Sequence, residues 1–135
     1  IALRLPGVVG HGAAGVWLSH VAQRLQSGRP VSIFNPDAAF NNTVHLTDLE
    51  TFISSLLETE WNGFKTPLLG SRAPMTIRTA VQMLKQRLGS DSQIEVMQSK
   101  KTAFNISIES AVNLGYAPMT TREVIETYSK DILNN

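Results

Sequence analysis

Ile1–Gly15 reads IALRLPGVVGHGAAG and runs directly into Val16–Ser27, VWLSHVAQRLQS. The spacing predicts a strand, a glycine-rich turn and a helix. Gly10-His11-Gly12-Ala13-Ala14-Gly15 satisfies G-x-G-x-x-G between a strand and a helix, the context a dinucleotide-binding fingerprint needs. Asp37 follows at about the 20-residue distance of a ribose-binding carboxylate. The strand argues against that reading. A first strand of that kind is buried on both faces and reads as a continuous apolar run. Here Arg4 stands mid-strand and Pro6 removes a backbone donor. The glycines also have a simpler use, closing the turn itself. Because Ile1 already lies inside the strand, the chain is expected to be a piece of something longer.

With 135 residues, 42% hydrophobic and 17% charged, the sequence has the composition of one ordinary globular domain with a buried core. Twelve basic residues against 11 acidic ones leave a net charge of +1. No basic block or aromatic cluster suggests nucleic-acid binding. Cysteine is absent, which excludes disulfides and thiolate chemistry. His11, His20 and His45 lack carboxylates at ligand spacing, so no metal site is expected. No apolar run reaches membrane-spanning length, and the expectation is a cytoplasmic protein without a membrane partner.

Beyond the opening helix, Gly28 and Pro30 signal a stop, and Val31–Phe34 reads as a short strand. Asn35-Pro36-Asp37 is a turn cluster, and Asn41–Leu46 returns as an extended segment. Thr47-Asp48-Leu49-Glu50 reads as a capping box opening a helix with Leu49, Phe52, Ile53, Leu56 and Leu57 on one face. Phe64–Gly70 reads as a strand kinked or placed at an edge by Pro67. Thr76–Leu88 is the clearest helix, stopped by Gly89, and Ile94–Met97 is another short strand. A short helix over Ser107–Leu114, capped by Ser107, ends at Gly115. A second capping box, Thr120-Thr121-Arg122-Glu123, opens the last helix. The alternation predicts an α/β fold with few strands and about five helices.

Five segments in order resemble the C-terminal part of the NAD(P)-dependent epimerase/dehydratase family, the extended short-chain dehydrogenases/reductases. They are Leu3-Arg4-Leu5-Pro6-Gly7-Val8-Val9-Gly10, Gly28-Arg29-Pro30-Val31-Ser32-Ile33-Phe34, Val44-His45-Leu46-Thr47-Asp48-Leu49, Met75-Thr76-Ile77-Arg78 and Leu114-Gly115-Tyr116-Ala117-Pro118. The resemblance implies a single substrate-binding portion over residues 1–135 of an extended Rossmann-type oxidoreductase or isomerase. The cofactor-binding Rossmann part, with its Gly-x-x-Gly-x-x-Gly loop and Tyr-x-x-x-Lys pair, would lie N-terminal to this portion. Thr120 follows Tyr116 and Ile132 follows Tyr128 where the lysine would stand. A tyrosine of pKa about 10 needs a nearby cation to act near neutral pH. The chain is therefore expected to be inactive alone, and to bind NAD or NADP tightly only as part of the complete enzyme.

Carried over by that resemblance, Pro6, Gly7 and Val8 would pass the nicotinamide ring, and Val9 would border the substrate. Asn41 stands where relatives that bind nucleotide sugars commonly place an arginine, and asparagine cannot supply a bidentate phosphate contact. A smaller or less charged carbonyl or alcohol compound is therefore as good a candidate as a nucleotide-diphosphate sugar. His11, Trp17, Phe34 and His45 complete the candidate substrate-binding set, each with a packing or loop role as its alternative. Asp48, at a helix start, is read as structural. Exposed strand edges in Ile1–Val9 and Phe64–Gly70 predict a homo-oligomer or a companion segment. Two other readings stay open: a stand-alone ligand-binding or assembly module with an anion at the helix N-terminus, and a small complete dinucleotide-binding domain using the glycine turn.

Overall fold

Pro6 divides the opening segment between two partners. Before it, the Ala2 amide donates to the Lys65 carbonyl (2.9 Å) and the Arg4 amide to that of Pro67 (3.0 Å), while Leu69 donates back to Arg4 (3.0 Å). After it, β1 (Gly7–Val9) pairs in parallel with β4 (Thr43–His45), Gly7 opposite Thr43 and Val9 opposite His45. A residue without an N–H cannot carry a ladder through, so the expected continuous strand over Ile1–Val9 becomes an isolated bridge at Arg4 and the short strand Gly7–Val9. The expected strand over Phe64–Gly70 likewise shrinks to a single parallel bridge, Arg4 to Leu68. The computed structural model describes residues 1–135. Two further pairs complete the strands: β2 (Val31–Phe34) with β6 (Ile94–Met97), parallel, and β3 (Ala39–Phe40) with β5 (Met75–Thr76), antiparallel.

Two hydrophobic clusters flank the β1–β4 pair. The larger packs α1 (Trp17–Gln26), α3 (Ile77–Arg87) and α5 (Thr121–Leu133) on β2, with Leu25, Ile33, Leu84 and Ile125 among its fully buried side chains. The smaller packs α2 (Leu46–Leu57) and α4 (Glu109–Val112) around Val44, Leu69 and Tyr116. Successive strand residues point to opposite faces. Gly7, Val9, Thr43 and His45 therefore share one face, and Val8 and Val44 the other. Val9 joins the larger cluster, while Val44, with Val8 against it, joins the smaller.

Helix boundaries follow their caps. The α1 helix ends where Gly28 takes φ +71°, and Arg29 donates to the Arg24 carbonyl (3.0 Å), a Schellman-type stop. The same device ends α3 at Gly89, with Ser90 donating to Lys85 (3.1 Å). The expected box at Thr120 forms in full: its hydroxyl accepts from the Glu123 amide (3.1 Å) and Glu123 accepts from the Thr120 amide (2.7 Å). The box expected at Thr47 does not form. Pairing of β4 runs through His45, so α2 starts immediately after it and His45 Nδ1 accepts from the Thr47 amide (3.2 Å). The buried stripe of α2 is also narrower than expected, Leu49, Phe52 and Leu56, with Leu57 at 83% exposure. Nor does Ser107 cap α4, whose first flank is Ile108 without a side-chain cap.

Asn41 fastens these pieces together. Its amide nitrogen donates to the carbonyls of Ser71 (3.2 Å) and Ile106 (2.8 Å), and its amide oxygen accepts from the Ile106 amide (2.8 Å). The backbone carbonyl of Asn41 accepts from the Ser71 amide as well (3.0 Å). Each buried group left without a partner costs about 1–3 kcal/mol. Asn41→Ala is expected to lower unfolding free energy by roughly 2–4 kcal/mol in urea denaturation. Thr120→Ala should cost about 1 kcal/mol, whereas Glu50→Ala, which removes no cap, should stay within about 0.5 kcal/mol.

Candidate functional site

On the Gly7–Val9 face of the strand pair, a cavity of about 280 Å³ lies beside the start of α1. Pro6, Gly7 and Val9 form its strand wall, and Trp17 with Phe40 forms the opposite one. The two rings sit 5.1 Å apart between centroids and are tilted by 59°, the offset geometry aromatic pairs favour. Asn42 and Thr43 complete the floor. Two of their polar atoms, Asn42 Oδ1 and Thr43 Oγ1, are buried and have no hydrogen-bond partner. No lysine, arginine, histidine or carboxylate lines the cavity.

Of the residues singled out in the sequence, Pro6, Gly7, Val9 and Trp17 meet here. Val8 does not, because the strand alternation turns it to the smaller cluster. His11 is exposed on the glycine turn, and Phe34 is exposed at the end of β2 (48%), both outside this cavity. Asn41 is buried and its amide is fully committed to Ser71 and Ile106. His45, at the end of β4, is buried, its ring held between the Thr47 amide and Asp131, whose Oδ2 lies 2.8 Å from Nε2. Because Nδ1 accepts from a backbone amide, Nε2 carries the proton and donates to Asp131. Both ring nitrogens are thereby used in joining α2 to α5. Asn42, Thr43 and Phe40 were not singled out as site residues from sequence. The available signal was the run of polar residues just ahead of Val44, in a strand buried along its whole length where apolar residues are the rule.

Tyr116 and Asp48 serve the scaffold. The Tyr116 hydroxyl donates to the Gly70 carbonyl (2.8 Å), and burial, with the Asp48 charge adding to it, pushes its pKa above the ordinary tyrosine value. Burial and then the Asp131 charge raise Tyr128 as well. Neither hydroxyl borders the cavity between Trp17 and Thr43. Asp48 Oδ2 accepts from the Met119 amide (2.9 Å), tying α2 to the segment before α5. Its pKa is raised, chiefly by burial, against the opposing pull of that hydrogen bond.

A carboxyl whose folded pKa exceeds its unfolded value binds more protons in the native state. Stability due to Asp48 is therefore full below the ordinary value of 3.8 and is lost as pH rises from there through the folded pKa. Asp48→Asn keeps an acceptor for Met119 and should remove this slope, leaving the variant more stable than the parent at neutral pH. Thermal melts between acid and neutral pH check it.

No protein-family model matches this chain, and no curated protein does. Solved structures match across almost its full length. UDP-glucose 4-epimerase of Thermotoga maritima, solved with UDP-glucose, superposes with a TM-score of 0.74 at 20% identity, over 98% of this chain and 45% of that one. UDP-glucuronic acid 4-epimerase of Bacillus cereus, solved with UDP-glucuronic acid and NAD, gives 0.72 at 19% identity, over 98% and 44%. The dTDP-glucose 4,6-dehydratase of Bacillus anthracis, solved with NAD, gives 0.74 at 14% identity, again over 98% and 44%. The chain thus spans less than half the length of each. It has the α/β fold of the C-terminal part of the NAD-dependent epimerases and dehydratases.

Proposed function

We propose that residues 1–135 are the substrate-side portion of an NAD(P)-dependent epimerase, dehydratase or reductase acting on a carbonyl or alcohol carbon, in the cytoplasm. The observation that carries this reading is the cavity between Pro6–Gly7 and the Trp17–Phe40 pair, in a chain with the fold of the corresponding part of such enzymes. Neighbours solved with NAD or NADPH support a nicotinamide cofactor in the complete enzyme. There the cofactor would accept and return a hydride. Pro6 and Gly7 would border its ring, and the cavity would hold and orient the substrate and keep water from it.

The residues present do not fit a whole dinucleotide. In the fingerprint, the third glycine exists for close packing of helix on strand, yet a Cβ on Gly15 would meet nothing within 4 Å. The amide preceding α1 is also taken: Val16 donates to Ser19 Oγ (3.1 Å), and Ser19 donates back to the Val16 carbonyl (2.7 Å). The open space at Gly15 weakens the complete-dinucleotide reading. No acid–base group lines the cavity, and the two tyrosines resist ionisation. The chain alone is therefore read as non-catalytic.

A second groove, of about 470 Å³, lies across Pro6 and Gly7 and is lined by Arg4, Leu5, Leu68 and Phe104. Leu5 (52%) and Phe104 (68%) are exposed there. We assign this surface to packing of the cofactor-binding segment, or of a second copy when that segment is missing. Titrating NADH into the chain should give no saturable fluorescence change; tight binding would instead favour a self-contained dinucleotide domain. Sedimentation velocity should show concentration-dependent self-association that Leu5→Asp weakens, and a monomer at every concentration would contradict the assignment.

A further inference from the structure

We propose that a cavity between α1 and α5 is a binding site for a small organic ammonium, held by the Asp131 carboxylate and the Tyr128 hydroxyl. The cavity, of about 320 Å³, is walled by Ala22, Gln23 and Gln26 of α1 and by Tyr128 and Asp131 of α5, and is completed by the glycine turn at Gly10. Its volume is that of a small-molecule site. Helical spacing puts the three α1 residues on the side of that helix opposite Trp17, and the cavity shares no lining residue with the one beside Trp17. The site is therefore separate from the substrate cavity and does not depend on that reading.

Two groups on α5 have bonding capacity that the chain leaves unused. Tyr128 is 3% exposed, and its hydroxyl makes no hydrogen bond within the chain, although a hydroxyl on so buried a ring ordinarily finds a partner. The unpartnered side-chain atoms that are fully enclosed belong to Asn42 and Thr43. The Tyr128 hydroxyl therefore keeps some access, and the space that Tyr128 lines is this cavity. Asp131 Oδ2 accepts from His45 Nε2 (2.8 Å), and its Oδ1 has no partner. Because His45 Nδ1 accepts from the Thr47 amide, the pair is a neutral imidazole and a carboxylate, and one negative charge stays uncompensated. Burial and then that charge raise the Tyr128 pKa, which keeps the hydroxyl protonated beside the carboxylate. A Cβ at Gly10 would lie 3.1 Å from Leu46 Cβ and 3.8 Å from His45 Nε2, so the absence of a side chain lets the turn pass close to this pair.

The lining selects the ligand. Asp131 is the only charged side chain bordering the cavity, which disfavours an anion. A metal ion would need several protein ligands, and no group of three His, Cys, Asp or Glu side chains stands together in the chain. An ammonium carries three donors and no acceptor. Asp131 Oδ1 and the Tyr128 oxygen can take two of them, and the side-chain carbonyl of Gln23 or Gln26 the third. The bond to Asp131 is charge-assisted, so an amine is preferred to a neutral compound of the same shape.

The test uses the full 135-residue chain, isotope-labelled for NMR. Tris(hydroxymethyl)aminomethane is the ammonium probe, at neutral pH and fixed ionic strength. Pentaerythritol, with a fourth hydroxymethyl group in place of the ammonium, is the neutral control. Saturable shifts of the backbone amide signals of Gln23, Gln26, Tyr128 and Asp131 are expected with the amine, and about tenfold weaker binding with pentaerythritol. Asp131→Asn keeps an acceptor for His45 but removes the charge, and should weaken amine binding about tenfold. Tyr128→Phe, which breaks no hydrogen bond within the chain, should weaken it about fivefold and leave Tm unchanged. Equal affinity for the two probes, or amine binding unaltered by either substitution, would overturn the proposal. So would the absence of saturable shifts at those four residues. Should Asp131→Asn fail to fold, the comparison of probes and Tyr128→Phe decide the outcome.

Discussion

The side chain of Asn41 is the constraint on which the arrangement depends. It stands between β3 and β4, where the chain leaves the antiparallel pair with β5 and enters the parallel pair with β1. Its three side-chain hydrogen bonds tie that junction to Ser71 and Ile106, 30 and 65 residues away in sequence. Such contacts close long loops, and each closure must be offset by groups that have no other way to be satisfied. With the junction fixed, Phe40 is held against Trp17 on one side of it. Asn42 and Thr43 follow on the other. The cavity is a consequence of where Asn41 puts its neighbours, although Asn41 itself does not reach it.

That arrangement separates stability from binding along a single strand. Val44 is fully buried and feeds the smaller cluster, and His45 both caps α2 and links it to α5 through Asp131. Thr43 is buried almost as completely, and its hydroxyl has no hydrogen-bond partner. An apolar residue of similar shape would serve the fold better. Natural proteins tolerate local penalties of this kind mostly where function requires them, and here the penalty lies beside the Trp17–Phe40 wall. The titratable groups follow the opposite logic. Tyr116 and Asp48 are drawn into the interior and bonded to backbone, so burial moves their pKa values upward without setting up acid–base chemistry.

Much of the fold was legible from residue patterns, and the exceptions share a cause. Helices α1, α3 and α5 were readable because apolar periodicity agreed with local stop and start signals at Gly28, Gly89 and Thr120. Those signals act within a few residues and need no knowledge of the rest of the chain. Thr47 carried the same kind of signal and lost, because the pairing of His45 with Val9 fixed the helix start earlier than local chemistry would. Ser107 lost because Asn41 holds Ile106 by both backbone groups. The site was half legible for a related reason. Pro6, Gly7, Val9 and Trp17 are close in sequence, so one strand–turn–helix unit brings them together. Asn42 and Thr43 join them only through strand register, and a shift of one residue would have turned both side chains over. His11 and Phe34 sit at a turn and a strand end, where neighbouring sequence does not fix the direction of a side chain.

The central claim, that this chain supplies the substrate side of a two-part nicotinamide enzyme, is tested most directly by the coding sequence immediately upstream of Ile1 in its source. The account predicts an open frame encoding a strand, a Gly-x-x-Gly-x-x-Gly turn and a helix, followed by a Tyr-x-x-x-Lys pair. An initiator codon next to Ile1, with neither feature preceding it, would contradict the claim and leave a self-contained binding module in its place.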